Sequence, residues 1–360
     1  MTVDFAKRRR AALRELRRRK LDCLVVTRAA NWYYLTGFTG ESGALVIGDG
    51  GTTLLTDGRF TVQAREETRG ARIEKQQGPL YKALGDYLKQ SKAGATGYDP
   101  GSVTVADWKT LRRSAGGKWR GVEAGGLVEC LRMRKDPGEL AVMRKAALLA
   151  GQVFESVLNL IKPGVRENEI SAEIEYQMRK RGASGPSFET IVASGPRAAL
   201  PHARPTGKRL RKNELVVLDL GVILGHYCSD MTRTVHVGRA SQRVRGWYRA
   251  VQEAQEAGVA TVQAGVTCGD VDAAVRDVLK KHGLETWFVH STGHGLGLEV
   301  HEQPRVARDQ ATRLEPGNVI TIEPGVYVES VGGIRIEDDV AVRAGGSEVL
   351  TRVKRDLIEI

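Results

Sequence analysis

Four carboxylates in two matched stretches carry the chemistry of this sequence. In residues 214–234 the apolar run Leu215-Val216-Val217-Leu218 ends in Asp219, a turn region with Gly221 and Gly225 follows, and Asp230 comes next. An alternating stretch then runs into Val235 and Val237. β-Branched residues and alternation mark a buried strand and a returning strand. Lying side by side, Asp219 and Asp230 repel, so one must hold a proton or both must share a cation. A buried charge needs a partner, and a divalent metal is the simplest one. Residues 318–340 repeat the plan. Val319-Ile320-Thr321-Ile322 ends in Glu323, and Gly325-Val326 follows as Gly221-Val222 follows Asp219. A Gly332-Gly333 turn then leads through Ile334-Arg335-Ile336 to Glu337. A duplicated hairpin with acids at matching places points to a shared ligand rather than to two solvated strand ends.

Between the two stretches, residues 288–304 hold His290, His294 and His301, three of the seven histidines within twelve positions. His290 and His294 have the i, i+4 spacing of a helical zinc pair. Gly293, Gly295 and Gly297 argue against a helix, and no Glu follows His290, so that reading is rejected. Glycines instead permit close backbone approach. His202 stands apart in Leu200-Pro201-His202-Ala203. Four carboxylates and one imidazole form a hard, oxygen-rich donor set, suited to Mn, Co, Fe or Zn. So many negative charges suit two ions rather than one, and the implied chemistry is metal-assisted hydrolysis.

The elements that must position these residues fall into two regions. Residues 1–130 read as an α/β domain: a helix, a strand at 21–27, a hairpin from Ala44–Ile47 to Thr52–Thr56 across a Gly-rich turn, and helices near 58–68, 79–91 and 104–114. No nucleotide-binding fingerprint occurs there. A boundary falls in residues 127–140, where Asp136-Pro137-Gly138-Glu139 is a strong helix start. Residues 131–360 then run helix to about 160, helix 167–181, strand 188–193 and the first acidic hairpin. Helices 242–263 and 271–282 and the second acidic hairpin follow, so the order repeats as two related halves.

The chain has 360 residues, enough for two domains. Lys and Arg number 55 against 43 Asp and Glu, a net charge of +12. Much of the excess sits at Lys7–Arg10 and Arg17–Lys20, beside an apolar stripe of Phe5, Ala12, Leu13 and Leu16. That pattern reads as a docked helix with a solvated basic face, not as a nucleic-acid site. Four cysteines without a C-x-x-C pair fit a reducing cytoplasm. No apolar run is long enough to span a membrane, and no secretory signal is present.

The combined pattern DLG, SDMTRT, HSTGHGLGLEVHE, TIEPGVY and IRIED resembles the pita-bread metallopeptidases, the family of methionine aminopeptidase, aminopeptidase P, prolidase and creatinase. The resemblance covers residues 131–360, and NWYYLTGFTGESGALVI is similar to the smaller creatinase-type N-terminal domain. It implies an α/β (α+β) architecture with a pseudo-twofold repeat in the pita-bread domain. Methionine aminopeptidases lack the N-terminal domain, creatinase lacks the metal set, and ribosome- and RNA-binding relatives lack the full ligand set. The Xaa-Pro branch is therefore implied.

On that resemblance Asp219 chelates one metal, His294 and Glu323 bind the other, and Asp230 and Glu337 bridge. Manganese is the first choice, with Co, Zn or Fe as alternatives. Glu323 shuttles a proton, His290 and His301 polarise the carbonyl or stabilise the oxyanion, and His202 contacts substrate near the proline. Arg335, two residues before Glu337, shares its strand face and orients a ligand carboxylate. Arg305 resembles the reader of a dipeptide carboxylate, with Arg197 and Arg308 as competitors. The substrates implied are proline-containing di- or oligopeptides. Xaa-Pro dipeptidase is slightly preferred over Xaa-Pro aminopeptidase. A homodimer is implied as well, with Trp32 and Tyr33 as candidates to reach a partner's cleft.

Overall fold

A computed structural model describes residues 3–117 and 119–360. The chain divides into two compact units, Met1–Arg132 and Met133–Ile360. In the first unit, Asp4 caps the helix Phe5–Arg18 by accepting from the Lys7 amide, and Ala12 and Leu16 are buried. A six-stranded sheet follows, in spatial order 72–75, 51–56, 44–48, 23–26, 95–98, 120–123. The 44–48/51–56 hairpin closes with Gly48 opposite Gly51. Cys23–Val26 pairs antiparallel with that hairpin and parallel with Ala95–Tyr98, so the sheet is mixed. Helices Leu80–Gln90 and Val105–Ala115 cover it through Leu84, Leu88, Leu111 and Ala115. The edge strands Arg72–Lys75 and Arg120–Glu123 escaped the sequence reading because they are short, polar and half-exposed. Residues 29–36 form a helix ended by Gly37 at φ +86°. Trp32 is buried in this helix, 6.3 Å from the Phe38 ring, and is a core aromatic of the unit.

In the second unit the sequence repeat becomes an architectural one. Asp136 accepts from the Glu139 amide while the Glu139 carboxylate accepts from the Asp136 amide, closing a reciprocal cap on helix Pro137–Val157. Helix Glu167–Lys180 and the strands Ile191–Ser194, Leu215–Leu220 and Met231–His236 complete the first half. Helices Gln242–Thr261 and Cys268–Lys281 and the strands Gly293–Gly295, Val319–Ile322 and Asp338–Arg343 form the second. Apolar helix faces pack on the outer side of each sheet, through Val153, Phe154, Ile170 and Ile174 against Val216 and Leu218 in one half. In the other, Val271 and Cys268 pack against Ile320 and Val340.

The acidic hairpins differ from the expected simple ones. Leu215–Leu220 pairs with Met231–His236, and the residues between form a separate small hairpin, Val222–Leu224 with Tyr227–Cys228. In the second half, Ile334-Arg335 is not the return strand of Val319–Ile322. Gly332–Arg335 pairs with Gly325–Val328 in an inserted hairpin, and Asp338–Arg343 returns instead. The physical cause is length. Ten residues, 221–230, separate the paired strands in the first half and fifteen, 323–337, in the second, so each connection is long enough to fold a hairpin of its own.

Candidate metal centre

Asp219 lies within its strand opposite Thr232, and Asp230 stands one residue before the returning strand. Glu323 and Glu337 flank the corresponding pair in the other half, where Ile322 faces Asp338. His294 is delivered by the short strand Gly293–Gly295, whose Gly295 faces Ile320. A Cβ on Gly293 would stand 1.9 Å from the Thr321 carbonyl oxygen, and one on Gly295 2.2 Å from that of Gln303. Only glycines let this strand press in and point the imidazole between the halves.

The five groups converge. Asp230, His294 and Glu337 each offer a ligand atom, all within 4.8 Å of one another. His294 Nε2 is 3.7 Å from Asp230 Oδ2 and 3.5 Å from Glu323 Oε1. Burial first, and then the neighbouring carboxylates, push Asp230 and Glu337 well above the usual carboxylate range. Burial pushes Glu323 up to about 8, against the opposing pull of Arg335. Asp219 Oδ1 and Asp230 Oδ1 are buried without a hydrogen-bond partner. Orphaned buried carboxylate oxygens beside carboxylates of raised proton affinity are the mark of a cation site.

His294 is prepared for that role. Its Nδ1 lies 3.0 Å from the Gly295 carbonyl oxygen, which can only accept, so Nδ1 carries the hydrogen and the Nε2 lone pair faces the carboxylates. Burial lowers its pKa to about 4, keeping the ring neutral. Arg335 Nη2 donates to Asp219 Oδ2 at 2.6 Å, its Nε to Thr232 Oγ1 and its Nη1 to the Tyr327 hydroxyl at 2.7 Å. The arginine expected to steer a ligand carboxylate therefore holds Asp219, from the opposite half. Thr232 in turn donates to Glu337 Oε2 at 2.5 Å.

The histidines separate into two kinds. His290 Nδ1 donates to the Ser291 carbonyl and its Nε2 accepts from Tyr327, both at 2.8 Å. With both nitrogens engaged, it has no N–H for a substrate oxygen, contrary to the expected oxyanion role. His301 is exposed and stacks edge-on to His294 with centroids 4.4 Å apart. Burial and the proximity of His202 lower its pKa. His202 is exposed in its loop. Of the three candidate arginines, Arg197 is tied to Glu167 at 3.0 Å and Arg308 to Glu285 at 2.6 Å. Among the described residues no hydrogen bond or ion pair engages the exposed Arg305 side chain.

Sequence reasoning missed Tyr327, Thr232, Thr321 and Asp339. Thr321 bonds the His294 amide and Glu323, and Asp339 accepts the Asp230 amide at 3.1 Å. Tyr327 and the threonines hid in β-prone runs, where they read as ordinary strand residues. Asp339 carried a signal: three consecutive acids, Glu337-Asp338-Asp339, run directly into the apolar Val340-Ala341-Val342.

Residues 141–344 match the family model described as Metallopeptidase family M24, and residues 8–134 match the Creatinase/Prolidase N-terminal domain. The Xaa-Pro dipeptidase of Pyrococcus furiosus is 35% identical over 340 residues, covering 94% of this chain and 95% of that protein. The structure of an Xaa-Pro dipeptidase from Bacillus anthracis superposes with a TM-score of 0.96 at 36% identity, covering 99% of this chain and 100% of that one. That of an X-Pro aminopeptidase from Thermotoga maritima gives 0.88 at 34% identity, covering 96% and 100%. With its N-terminal creatinase-type domain and a C-terminal domain of pita-bread architecture, the chain belongs to metallopeptidase family M24.

Proposed function

We propose that this protein is an Xaa-Pro dipeptidase whose Asp219, Asp230, His294, Glu323 and Glu337 hold two divalent ions, manganese by preference. The observation that carries this reading is the gathering of Asp230, Glu323 and Glu337 round a neutral, correctly oriented imidazole, with Asp219 near enough to raise their proton affinity and two buried carboxylate oxygens left unpartnered. Bound there, the ions supply an acidified water and polarise the scissile carbonyl. Glu323, whose side chain accepts only a 3.3 Å bond from Thr321 among the described residues, is the carboxylate free to take and return a proton. Arg335 holds Asp219 in place. His301, with no competing hydrogen bond among the described residues, donates to the developing oxyanion. His290 orients the site through Tyr327, and His202 borders the proline.

Proline explains the need for such a site. Its amide nitrogen carries no hydrogen and its ring fixes φ, so recognition by main-chain pairing loses a donor. A dipeptidase must also read the proline carboxylate, and Arg305 is the arginine left unengaged for it. The four cysteines are free, and no helix of the described residues is long and apolar enough to cross a membrane. Both features agree with a cytoplasmic, reducing setting, and a homodimer remains part of the reading.

Turnover of Ala-Pro and of Ala-Pro-Ala, with and without chelator, tests the proposal, alongside metal analysis. Chelator-sensitive cleavage of Ala-Pro that Arg305→Ala weakens at least about tenfold is expected, the scale of one lost charge-assisted contact. Equal cleavage of both peptides with Arg305→Ala unchanged would assign the aminopeptidase activity named for the Thermotoga maritima neighbour.

A further inference from the structure

The loop from Ser194 to Thr206, which carries His202, is fastened at both roots by one side chain. Glu167 opens the helix Glu167–Lys180, and its carboxylate is fully buried. Its Oε1 accepts from the Ser194 amide at 2.9 Å and the Ser194 hydroxyl at 2.8 Å. Its Oε2 accepts from Arg197 Nε at 3.0 Å, the Thr206 amide at 3.1 Å and the Thr206 hydroxyl at 2.8 Å. Arg197 passes the restraint across the neck of the loop by donating to the Arg204 carbonyl. On its far side the loop touches the metal centre, because the Pro201 carbonyl accepts from Arg335 Nη1 at 3.3 Å. A Cβ on Gly333 would stand 2.1 Å from the Ala198 carbonyl oxygen, so the loop is seated on the strand that carries Arg335.

We infer that Glu167 is a positioning residue that sets His202 against the substrate, acting only through the loop. The inference rests on the proposed Xaa-Pro activity and adds to it a specificity device outside the metal centre. A carboxylate is required at this place. Each oxygen faces a backbone N–H, Ser194 on one side and Thr206 on the other, and neither amide can rotate away. A glutamine of the same shape must turn its own N–H₂ toward one of them whichever way it flips. One root then loses its fastening to residue 167 and is held only by its main-chain bonds, the strand pairing of Ser194 with Val216 or the bond from the Asn168 amide to the Thr206 carbonyl.

The test is a double-mutant cycle on loaded enzyme with Ala-Pro as substrate. Glu167→Gln is expected to lower kcat/KM about tenfold or more, chiefly through KM, with metal content unchanged. In a His202→Ala background the same change is expected to have no further effect, because the two residues act as one unit. Glu167→Asp, which keeps the charge, recovers part of the loss and serves if the glutamine variant does not fold. An equal loss in both backgrounds, or no loss, overturns the inference. Deuterium exchange of residues 195–206 gives a reading independent of turnover: faster exchange in Glu167→Gln supports the fastening, and unchanged exchange overturns it. A wild-type enzyme that ignores Ala-Pro defeats the proposed activity alone, and the exchange result then still decides the fastening.

Discussion

The two halves of the second unit share a backbone plan and divide the chemistry unequally. Each runs strand, acid, inserted hairpin, acid, strand. In the first half the acids are aspartates, and Asp219 is clamped at 2.6 Å by a guanidinium. In the second they are glutamates, and the nearest side-chain donor to Glu323 is Thr321 at 3.3 Å. Asp219 is pinned in place by Arg335, while Glu323 is loosely held and burial raises its proton affinity to about 8 in the metal-free protein. The clamp itself crosses between halves, since Arg335 belongs to the second. Duplication thus places the carboxylates at matching points of the two halves, and their hydrogen-bond partners differ between the halves.

The sharpest way to break this comparison is to remove a carboxylate from each half. Asp230→Ala and Glu337→Ala are both expected to lose metal and to fall in activity by more than the roughly 100-fold typical of an outer partner. Metal analysis and Ala-Pro turnover check this, and metal retention in either variant would remove that residue from the ligand set.

Arg335→Lys tests the clamp. A lysine cannot reach Asp219, Thr232 and Tyr327 together, so a loss of about 10–100-fold in activity or metal affinity is expected. Activity within twofold of wild type would show that Asp219 needs no clamp.

A third test uses pH on metal-free protein. Glu323 is raised from its ordinary 4.5 to about 8, and Asp230 and Glu337 are raised in the same direction. Between those values the folded state binds more protons than the unfolded one, so the stability is present below about 4.5 and is lost as pH rises to about 8. Thermal melts of chelated protein from pH 5 to 8 should show Tm falling, by about 2–4 °C for each kcal/mol lost, and added metal should reverse the fall at pH 8. A flat Tm across that range would mean the carboxylates are compensated without a cation.

The smallest effect lies outside the comparison. Asp136→Ala removes one side of the reciprocal cap on helix Pro137–Val157 and should cost about 1 kcal/mol without changing kcat/KM. A change in kinetics at unchanged stability would mean that this helix start reaches the site.

Most of the site was legible because its residues break local rules. Asp219 interrupts an apolar strand, and Gly293 and Gly295 flank His294 in a way that suits no helix. Charges and glycines at costly positions persist for a reason that local structure does not supply, and that reason is usually a site. Thr232, Thr321 and Tyr327 break no rule, so nothing in the chain order separates them from strand residues that only pack. Arg335 was visible by its spacing from Glu337, but its partner lies 116 positions away in the other half.

The sequence by itself pointed to most of the helices and core strands, the internal repeat and the four carboxylates at its centre, because periodicity, turn residues and misplaced charges are local quantities. Tertiary structure alone decided which strand returns to which, which carboxylate Arg335 clamps, how His290 spends both nitrogens and which arginine stays unengaged. Those outcomes depend on hydrogen-bond partners brought together across the halves, and a donor's choice among several distant acceptors is fixed only when the chain has closed around it.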